Sequence, residues 1–292
     1  MNILSFDTEE WFNEKRNHGG REFRYKEFDE YLGRVLDLLE DLNIKATFFC
    51  LGKVASDFPY VIRKIAERSH EIGCHSNEHL WLNTFSPEEL RKDTHDAVAA
   101  LEDVTGEKVL SYRAPAFSIG EKNKWALEIL AENGITRDSS IFPTSRDFGG
   151  FASFKSKNPA VVKYNGIQIK EFPIPTVSLL GREIAYSGGG YFRFLPYFFV
   201  KKTMDKSEYT IAYFHLGDLM KNSNGMMSKE EHERYYKEPG TLKNRTVRYI
   251  KSSLGTAVAF DKMSKLIRNF EFISVEKADS LIDWNSSKIV EL

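Results

Sequence analysis

Two carboxylates lie two residues apart near the start of the chain, where they could hold a metal ion or share a proton. Asp7 and Glu9 follow residues 3–6, a short apolar run typical of a buried strand. Side chains alternate along a strand, so Asp7 and Glu9 are expected to point to the same side. Two negative charges there repel each other unless a cation or a proton intervenes. The alternative is a solvated strand end that leads into Glu10.

Two histidines four residues apart offer ligands for such a cation. His75 and His79 follow another short apolar run. On a helix, residues at this spacing share a face with ~5–6 Å between Cβ atoms, so both imidazoles could bind one ion. Catalytic Zn²⁺ takes three protein ligands, two histidines and a carboxylate among them, and keeps a fourth position open. The alternative is a pair of ordinary surface histidines at the start of a helix.

An arginine and a later histidine also lie at predicted strand ends. Arg113 precedes the turn at Pro115 and could hold a carboxylate through two parallel hydrogen bonds, keeping its pKa low. His215, with Asp218 three residues on, is a candidate general acid near neutral pH. The alternatives are a structural ion pair for Arg113 and a buried core histidine for His215.

Short strands alternate with helices along the chain, which predicts an α/β fold with a parallel sheet. The predicted strands lie at residues 3–6, 46–51, 71–75, 109–112, 135–138, 168–172, 210–215 and 270–275. The predicted helices lie at residues 28–42, 59–68, 86–103, 122–133 and 244–269. Since polar residues follow several strands, and barrel enzymes place their chemistry at the carboxyl ends of strands, a (β/α) barrel is favoured over an open sheet.

Composition excludes several functional classes. The 292 residues carry 41 Lys and Arg against 42 Asp and Glu, a net charge of -1, which argues against a protein held to nucleic acid by phosphate neutralisation. Two cysteines, Cys50 and Cys74, form no disulfide framework. The sequence contains no secretory signal pattern and no apolar run of ~20 residues, so we expect a cytoplasmic chain without a transmembrane segment. Peripheral attachment to the inner face of the membrane, through residues 194–202, and homo-oligomer formation stay open.

Together these residues resemble a known family. The motifs that carry the resemblance are Asp7-x-Glu9, His75-x-x-x-His79, Arg113-x-Pro115-x-Phe117 and His215. In this order they resemble the polysaccharide deacetylases, carbohydrate esterase family four with its NodB homology domain, over about residues 3–218. Residues 187–193 resemble a branch associated with bacterial exopolysaccharide loci. The resemblance implies a distorted (β/α) barrel of seven or eight parallel strands at residues 1–218, with a helical C-terminal extension at 219–292 packed on it.

The resemblance also implies catalytic roles. Asp7 would be the general base, His215 the general acid and Arg113 the residue that orients Asp7. The backbone N–H of Ala116 would donate to the oxyanion.

One divalent ion is implied, Zn²⁺ first, with Co, Ni, Mn or Fe as alternatives. His75 and His79 would be ligands. The family's commoner first motif has adjacent aspartates, whereas this chain has Thr8 in the second position. Glu9 is therefore the expected carboxylate ligand, and Glu10 is the fallback.

The implied reaction removes an acetyl group from an N-acetylated sugar of a polysaccharide or of its biosynthetic precursor, with a lipid-linked precursor left open. Trp11, Phe12 and Tyr191 are candidate platforms for a sugar ring, and Asp138 a candidate partner for sugar hydroxyls or for His215. Two alternatives remain: a cyclic amidase or other C–N hydrolase that uses the same site, and a non-catalytic sugar-binding relative.

Overall fold

The computed structural model describes residues 1–16, 23–145, 149–179, 181–220, 225–236 and 238–292, with a mainly parallel sheet at the centre. The strands are β1 (Asn2–Thr8), β2 (Thr47–Cys50), β3 (Glu71–Cys74), β4 (Ser111–Tyr112), β5 (Arg137–Asp138), β6 (Ala160–Tyr164), β7 (Ile167–Glu171), β8 (Thr176–Leu179), β9 (Arg182–Ala185), β10 (Thr210–His215) and β11 (Lys288–Glu291). The helices are α1 (Glu10–Arg16), α2 (Tyr25–Asp41), α3 (Gly52–Asp57), α4 (Pro59–Ala66), α5 (Pro87–Thr105), α6 (Ala126–Glu132), α7 (Gly189–Phe194), α8 (Tyr197–Asp205), α9 (Leu216–Leu219), α10 (Lys229–Tyr236), α11 (Leu242–Ser253), α12 (Thr256–Asn269) and α13 (Val275–Leu281).

Among the described residues, the main sheet has the strand order β10-β1-β2-β3-β4-β5-β7-β6-β11, and β8 pairs with β9 as a separate hairpin. All neighbours from β10 to β7 are parallel, whereas β6 is antiparallel to β7 and β11 is parallel to β6. Seven strands therefore share one direction, and the predicted α/β fold is confirmed. The strand predicted at residues 270–275 is wrong, because only a single bridge joins Ile273 to Ile3.

The two faces of the sheet pack into different cores. Along β1, Ile3 belongs to a small inner cluster with Phe49 of β2, whereas Leu4 and Phe6 belong to the larger outer core under the helices. Asp7 has the same parity as Ile3 and therefore lies on the inner face.

Contacts across the inner face show that the sheet is rolled into an incomplete barrel. Arg113, directly after β4, donates to Asp7 on β1, although β2 and β3 lie between those strands in the sheet. In the described part of the chain no ladder closes the ring. Instead Gly188, after the β8–β9 hairpin, makes a single parallel bridge to Tyr213 of β10. A Cβ at Gly188 would lie 2.3 Å from the Tyr213 ring, so only glycine fits there.

Helix α5 shows how local sequence sets an element's bounds. Ser86 and Glu89 form a capping box around the helix start, and Gly106 ends the helix in the left-handed region at φ 72°. No helix among the described residues has both the length and the apolar character needed to cross a bilayer.

The C-terminal part of the chain returns to the sheet. Helix α13 lies at the amino ends of the strands, where Asp279 pairs with Arg137 and Lys170. The predicted helices at residues 244–269 are present as α11 and α12, and β11 adds an unpredicted strand beside β6. The domain boundary at residue 218 stays a prediction.

Candidate active site

The carboxyl ends of β1 and β10 bring an acid and an imidazole together. Asp7 lies opposite His215 in the β1–β10 ladder, and both side chains point inward. The His215 Nε2 atom lies 3.7 Å from Asp7 Oδ2. This register places a potential proton acceptor and a potential proton donor at one mouth of the barrel.

A buried arginine fixes Asp7. The Arg113 Nη1 atom donates to Asp7 Oδ1 at 2.8 Å and to Ser5 Oγ at 2.9 Å, while Nη2 donates to Ser139 Oγ at 3.0 Å. The guanidinium also lies 4.1 Å from the ring centroid of Phe49. The predicted pairing of Arg113 with a carboxylate thus occurs, but not as a two-bond fork, because the guanidinium shares its donors among three partners.

The environment of Asp7 favours the carboxylate form. Burial alone would raise its pKa, but the charge of Arg113 and the charges of His75 and His215 outweigh burial and lower the pKa below its ordinary value of 3.8. Asp7 is therefore an anion held ready to accept a proton.

The two histidines of the His75–His79 segment lie on a loop, so the predicted shared helix face is wrong. After β3 the chain turns through Ser76 and His79, both at positive φ (68° and 57°), a region that non-glycine residues adopt uncommonly. The Ser76 Oγ atom accepts the N–H of His79 at 3.1 Å, and the Ser76 carbonyl accepts the N–H of Gly52. The loop still brings the two imidazole centroids to 5.2 Å from each other.

Glu9 completes a group of three possible metal ligands. Its Oε2 atom lies 2.5 Å from His79 Nε2 and 3.5 Å from His75 Nε2, and the three ligand atoms all lie within 4.8 Å of one another. His75 Nδ1 lies 2.7 Å from the carbonyl oxygen of Arg113 and must donate to it, which in the neutral imidazole leaves a lone pair on Nε2.

The donor set fits a divalent cation. Glu9 Oε2 is buried and receives no hydrogen bond of acceptable geometry from the described residues. Burial would raise the pKa of Glu9, but the charge of His79 and the nearby His75 ring bring that pKa well below 4.5. A carboxylate facing two imidazole nitrogens is the three-ligand set of catalytic zinc sites, with a fourth position left for water or substrate.

Glu10 has a different local role. It accepts the N–H of Gly217 at 2.8 Å and that of Glu9 at 3.2 Å, which ties the start of α1 to α9. Burial and the nearby Glu9 charge raise its pKa to about 7. The geometry thus groups Glu9, not Glu10, with the two histidines.

His215 is oriented by a carboxylate that is itself paired. Its Nδ1 atom lies 2.9 Å from Asp218 Oδ2, and Asp218 Oδ1 lies 3.0 Å from Arg193 Nε. Burial would lower the pKa of His215, but the hydrogen bond to Asp218 and the surrounding carboxylates raise it well above 6.5. The imidazole therefore keeps its proton at neutral pH, with Nε2 turned toward Asp7.

A pocket of about 310 Å³ opens over these groups. Asp7, His75 and His215 form its floor, and Ala116 lines it from a turn at φ 54°. Tyr191 forms part of the wall, where it was predicted to meet a sugar ring.

The predicted platform at Trp11 and Phe12 is wrong. Trp11 has no exposed surface, packs edge-on against Phe28 and donates its indole N–H to Asp29. Phe12 is also buried in the outer core. Neither ring reaches the pocket, because α1 turns this face toward α2.

The predicted contact of Asp138 with sugar or His215 is also wrong, since Asp138 is only 1% exposed and lies beside the buried Glu171. Burial raises the pKa of Asp138 to about 6. Burial together with the Asp138 charge raises the pKa of Glu171 well above 4.5. The two carboxyls therefore share a proton, held mainly by Glu171. Ser140 links this pair to the loop after β4, since its hydroxyl bonds Asp138 and accepts the N–H of Ala114.

Comparison with known protein families gives two matches along this chain. Residues 20–137 match the polysaccharide deacetylase family, and residues 139–279 match a domain family of unknown function, DUF3473. The chain therefore contains a polysaccharide deacetylase family domain. The DUF3473 match is typical of its exopolysaccharide-locus branch, so the branch predicted from residues 187–193 is confirmed.

Curated relatives match only part of this chain. A peptidoglycan-N-acetylglucosamine deacetylase of Bacillus cereus is 35% identical over 100 residues, which are 34% of this chain and 36% of that protein. One from Listeria monocytogenes is 32% identical over 88 residues, 30% of this chain and 19% of that protein. The chain thus spans well under half the length of these relatives.

Solved structures share the fold. A polysaccharide deacetylase from Mycobacterium smegmatis matches 100% of this chain and 92% of its own, with a TM-score of 0.63 and 16% identity. A family-four pseudoenzyme from Bacillus anthracis matches 100% of this chain and 69% of its own, with a TM-score of 0.52 and 14% identity. At these identities the likeness concerns the fold alone.

Sequence reasoning gave no role to three residues that shape the candidate site. A role for Asp218 could have been predicted, because its carboxylate lies three residues after His215 at the start of a helix. Arg193 and Glu171 had none, because their partners Asp218 and Asp138 are distant in sequence.

Proposed function

We propose that this protein is a metal-dependent N-deacetylase of an N-acetylated sugar in a polysaccharide or its biosynthetic precursor. The observation that carries the proposal is geometric: Asp7, His75 and His215 line one pocket, and His75 also belongs to the possible ligand group with Glu9 and His79. The printed names of the curated relatives, peptidoglycan-N-acetylglucosamine deacetylases, support it.

Each group has a defined task in amide hydrolysis. A divalent ion at Glu9, His75 and His79, Zn²⁺ first by its ligand preference, would polarise the acetyl carbonyl and acidify a water molecule. Asp7 accepts the proton of the water as its oxygen bonds to the acetyl carbon.

The leaving nitrogen must gain a proton as the C–N bond breaks. His215 donates that proton from Nε2, because Asp218 holds the other ring nitrogen. The products are acetate and a free amino sugar. The N–H of Ala116 donates to the developing oxyanion, an interaction worth ~2.7–4 kcal/mol in comparable sites.

The pocket wall suits a sugar. Tyr191 and Phe194 offer ring faces beside the polar floor, so the substrate is recognised through its apolar ring face as well as its acetamido group. A precursor attached to a lipid fits the same requirements.

Acetate release tests the proposal. The purified protein, supplied with Zn²⁺, is expected to release acetate from an N-acetylglucosamine oligosaccharide and to lose that activity after chelation. Ring opening of a cyclic amide without acetate release would replace the proposal with a cyclic amidase. Oligosaccharide binding without acetate release under any metal would make the protein a non-catalytic sugar-binding relative.

A further inference from the structure

Helix α11 presents its apolar side chains outward. In the described part of the chain α11 buries none of its residues, although it has an apolar row. Leu242, Val247 and Ile250 are 67%, 42% and 53% exposed, and Leu254 at the helix end is 54% exposed. A helix that packs only on its own protein would turn this row inward, so the row is available to a partner.

The charged residues of α11 itself are all basic. No acidic residue occurs between Pro239 and Phe260, whereas α11 carries four basic residues. Two of them are engaged by the protein, since Arg248 pairs with Glu238 and Arg245 donates to the carbonyl of Met227. The other two, Lys243 and Lys251, are exposed beside the apolar row. We call Leu242, Lys243, Val247, Ile250, Lys251 and Leu254 the α11 face.

The α11 face is continuous with the mouth of the candidate active site. The Arg193 guanidinium donates to the carbonyls of Lys251, Ser252 and Leu254, which fastens the end of α11 to α7. The next residue, Phe194, is 45% exposed and lines the pocket. A partner seated on the α11 face therefore lies at the edge of the pocket.

We propose that the α11 face docks on an anionic lipid bilayer. Exposed aliphatic side chains can enter the acyl boundary while the lysines reach phosphate groups, as in helices that lie in the membrane interface. The α11 face combines exposed aliphatic side chains with two lysines and contains no acid, which suits a fluid anionic surface. A consequence that rests on the proposed function is that the pocket takes an N-acetylated sugar carried on a membrane lipid.

Vesicle co-sedimentation tests the docking. The protein is expected to bind phosphatidylglycerol-containing vesicles more tightly than pure phosphatidylcholine vesicles. Ile250→Ser should weaken binding about tenfold through lost apolar burial. Lys243→Gln and Lys251→Gln should each weaken it roughly fivefold. Ile289→Ser is the matched control, because Ile289 on β11 is also 53% exposed and lies outside the α11 face.

Three results would overturn the docking: no binding of the wild-type protein to anionic vesicles, equal binding by Ile250→Ser and Ile289→Ser, or a concentration-dependent dimer that Ile250→Ser dissolves. The last result would identify the α11 face as a contact between copies of this chain. Acetate release from a water-soluble oligosaccharide should be the same in Ile250→Ser and wild type. That assay fails if the proposed function is wrong, whereas vesicle binding fails only if the docking is wrong.

Discussion

Two pairs of carboxyls lie inside this barrel, and the pKa values of the two pairs are shifted in opposite directions. Asp7 and Glu9 at the end of β1 face the cationic groups of Arg113 and of histidines, which lower the pKa of both acids. Asp138 and Glu171, on β5 and β7, face each other, and burial raises the pKa of both. Burial of an acid does not by itself decide its charge; its neighbours do.

Because of this difference, the two pairs of carboxyls can play different roles. In the first pair Asp7 lines the pocket, Glu9 faces the two histidines, and the pKa of both acids is lowered, so the pair can take up a proton or bind a cation. The second pair is closed off and already holds a proton. It is linked to the site through Ser140, which positions the amide of Ala114 next to Arg113.

The largest effect is expected when the possible metal ligand group loses a histidine. His79→Ala leaves one histidine and one carboxylate, a poor set for Zn²⁺. Bound metal should fall to background after dialysis, and acetate release should fall with it, as measured by elemental analysis and an acetate assay. His95→Ala is the control, because His95 is an exposed residue of α5. Full metal content in His79→Ala would remove His79 from the ligand set.

Neutralising Asp7 should separate metal binding from catalysis. The amide oxygen of Asp7→Asn can still accept from Arg113, so the fold and the metal should be retained. An amide cannot take a proton from water, and kcat should fall ~10²–10⁴-fold. Metal content and kcat measured on the same preparation check this prediction. A kcat within tenfold of wild type would exclude Asp7 as the general base.

The third prediction concerns the proton on His215. Asp218 helps to raise the pKa of His215, so Asp218→Asn should lower it. A general acid works only while protonated, so activity is lost as pH rises through its pKa. In the plot of kcat against pH, the alkaline limb should therefore move to lower pH in the variant. The values of kcat on the acidic limb should change less. An unmoved alkaline limb would assign that limb to another group.

The strand ends of the site could be predicted from sequence. Asp7, Arg113 and His215 each follow an apolar run, and parallel strands deliver their carboxyl ends to one edge. The approach of His75 to His79 was also predicted, but for the wrong reason. An i, i+4 spacing suggests a helix, whereas the structure uses a loop with two positive φ angles, which no periodicity encodes.

The second carboxyl pair could not be predicted, because it depends on which strands become neighbours. β5 pairs with β7 and not with β6, the next strand in sequence. The pairing of β5 with β7 places Glu171 beside Asp138. Similarly β11 joins β6 across more than a hundred residues of sequence, so neither its pairing nor its existence follows from local pattern.

The smallest expected effect tests the shared proton of the second pair. The pKa of Glu171 is raised in the folded state, so the folded protein keeps a proton that the unfolded chain releases above about pH 4.5. The stability due to this proton is complete below that pH and is lost as pH rises toward the folded pKa. In Glu171→Gln the amide N–H replaces the shared proton and does not titrate.

The free energy of unfolding, measured by chemical denaturation across pH, should therefore differ between the two proteins mainly above pH 4.5. The free energy of unfolding of the variant should rise relative to that of wild type by up to ~1.4 kcal/mol per pH unit within the titration range. Glu88→Gln, an exposed change on α5, controls for the loss of one negative charge. Equal pH slopes in wild type and Glu171→Gln would mean that Glu171 does not hold the proton, and the contrast between the two carboxyl pairs would reduce to a difference in exposure.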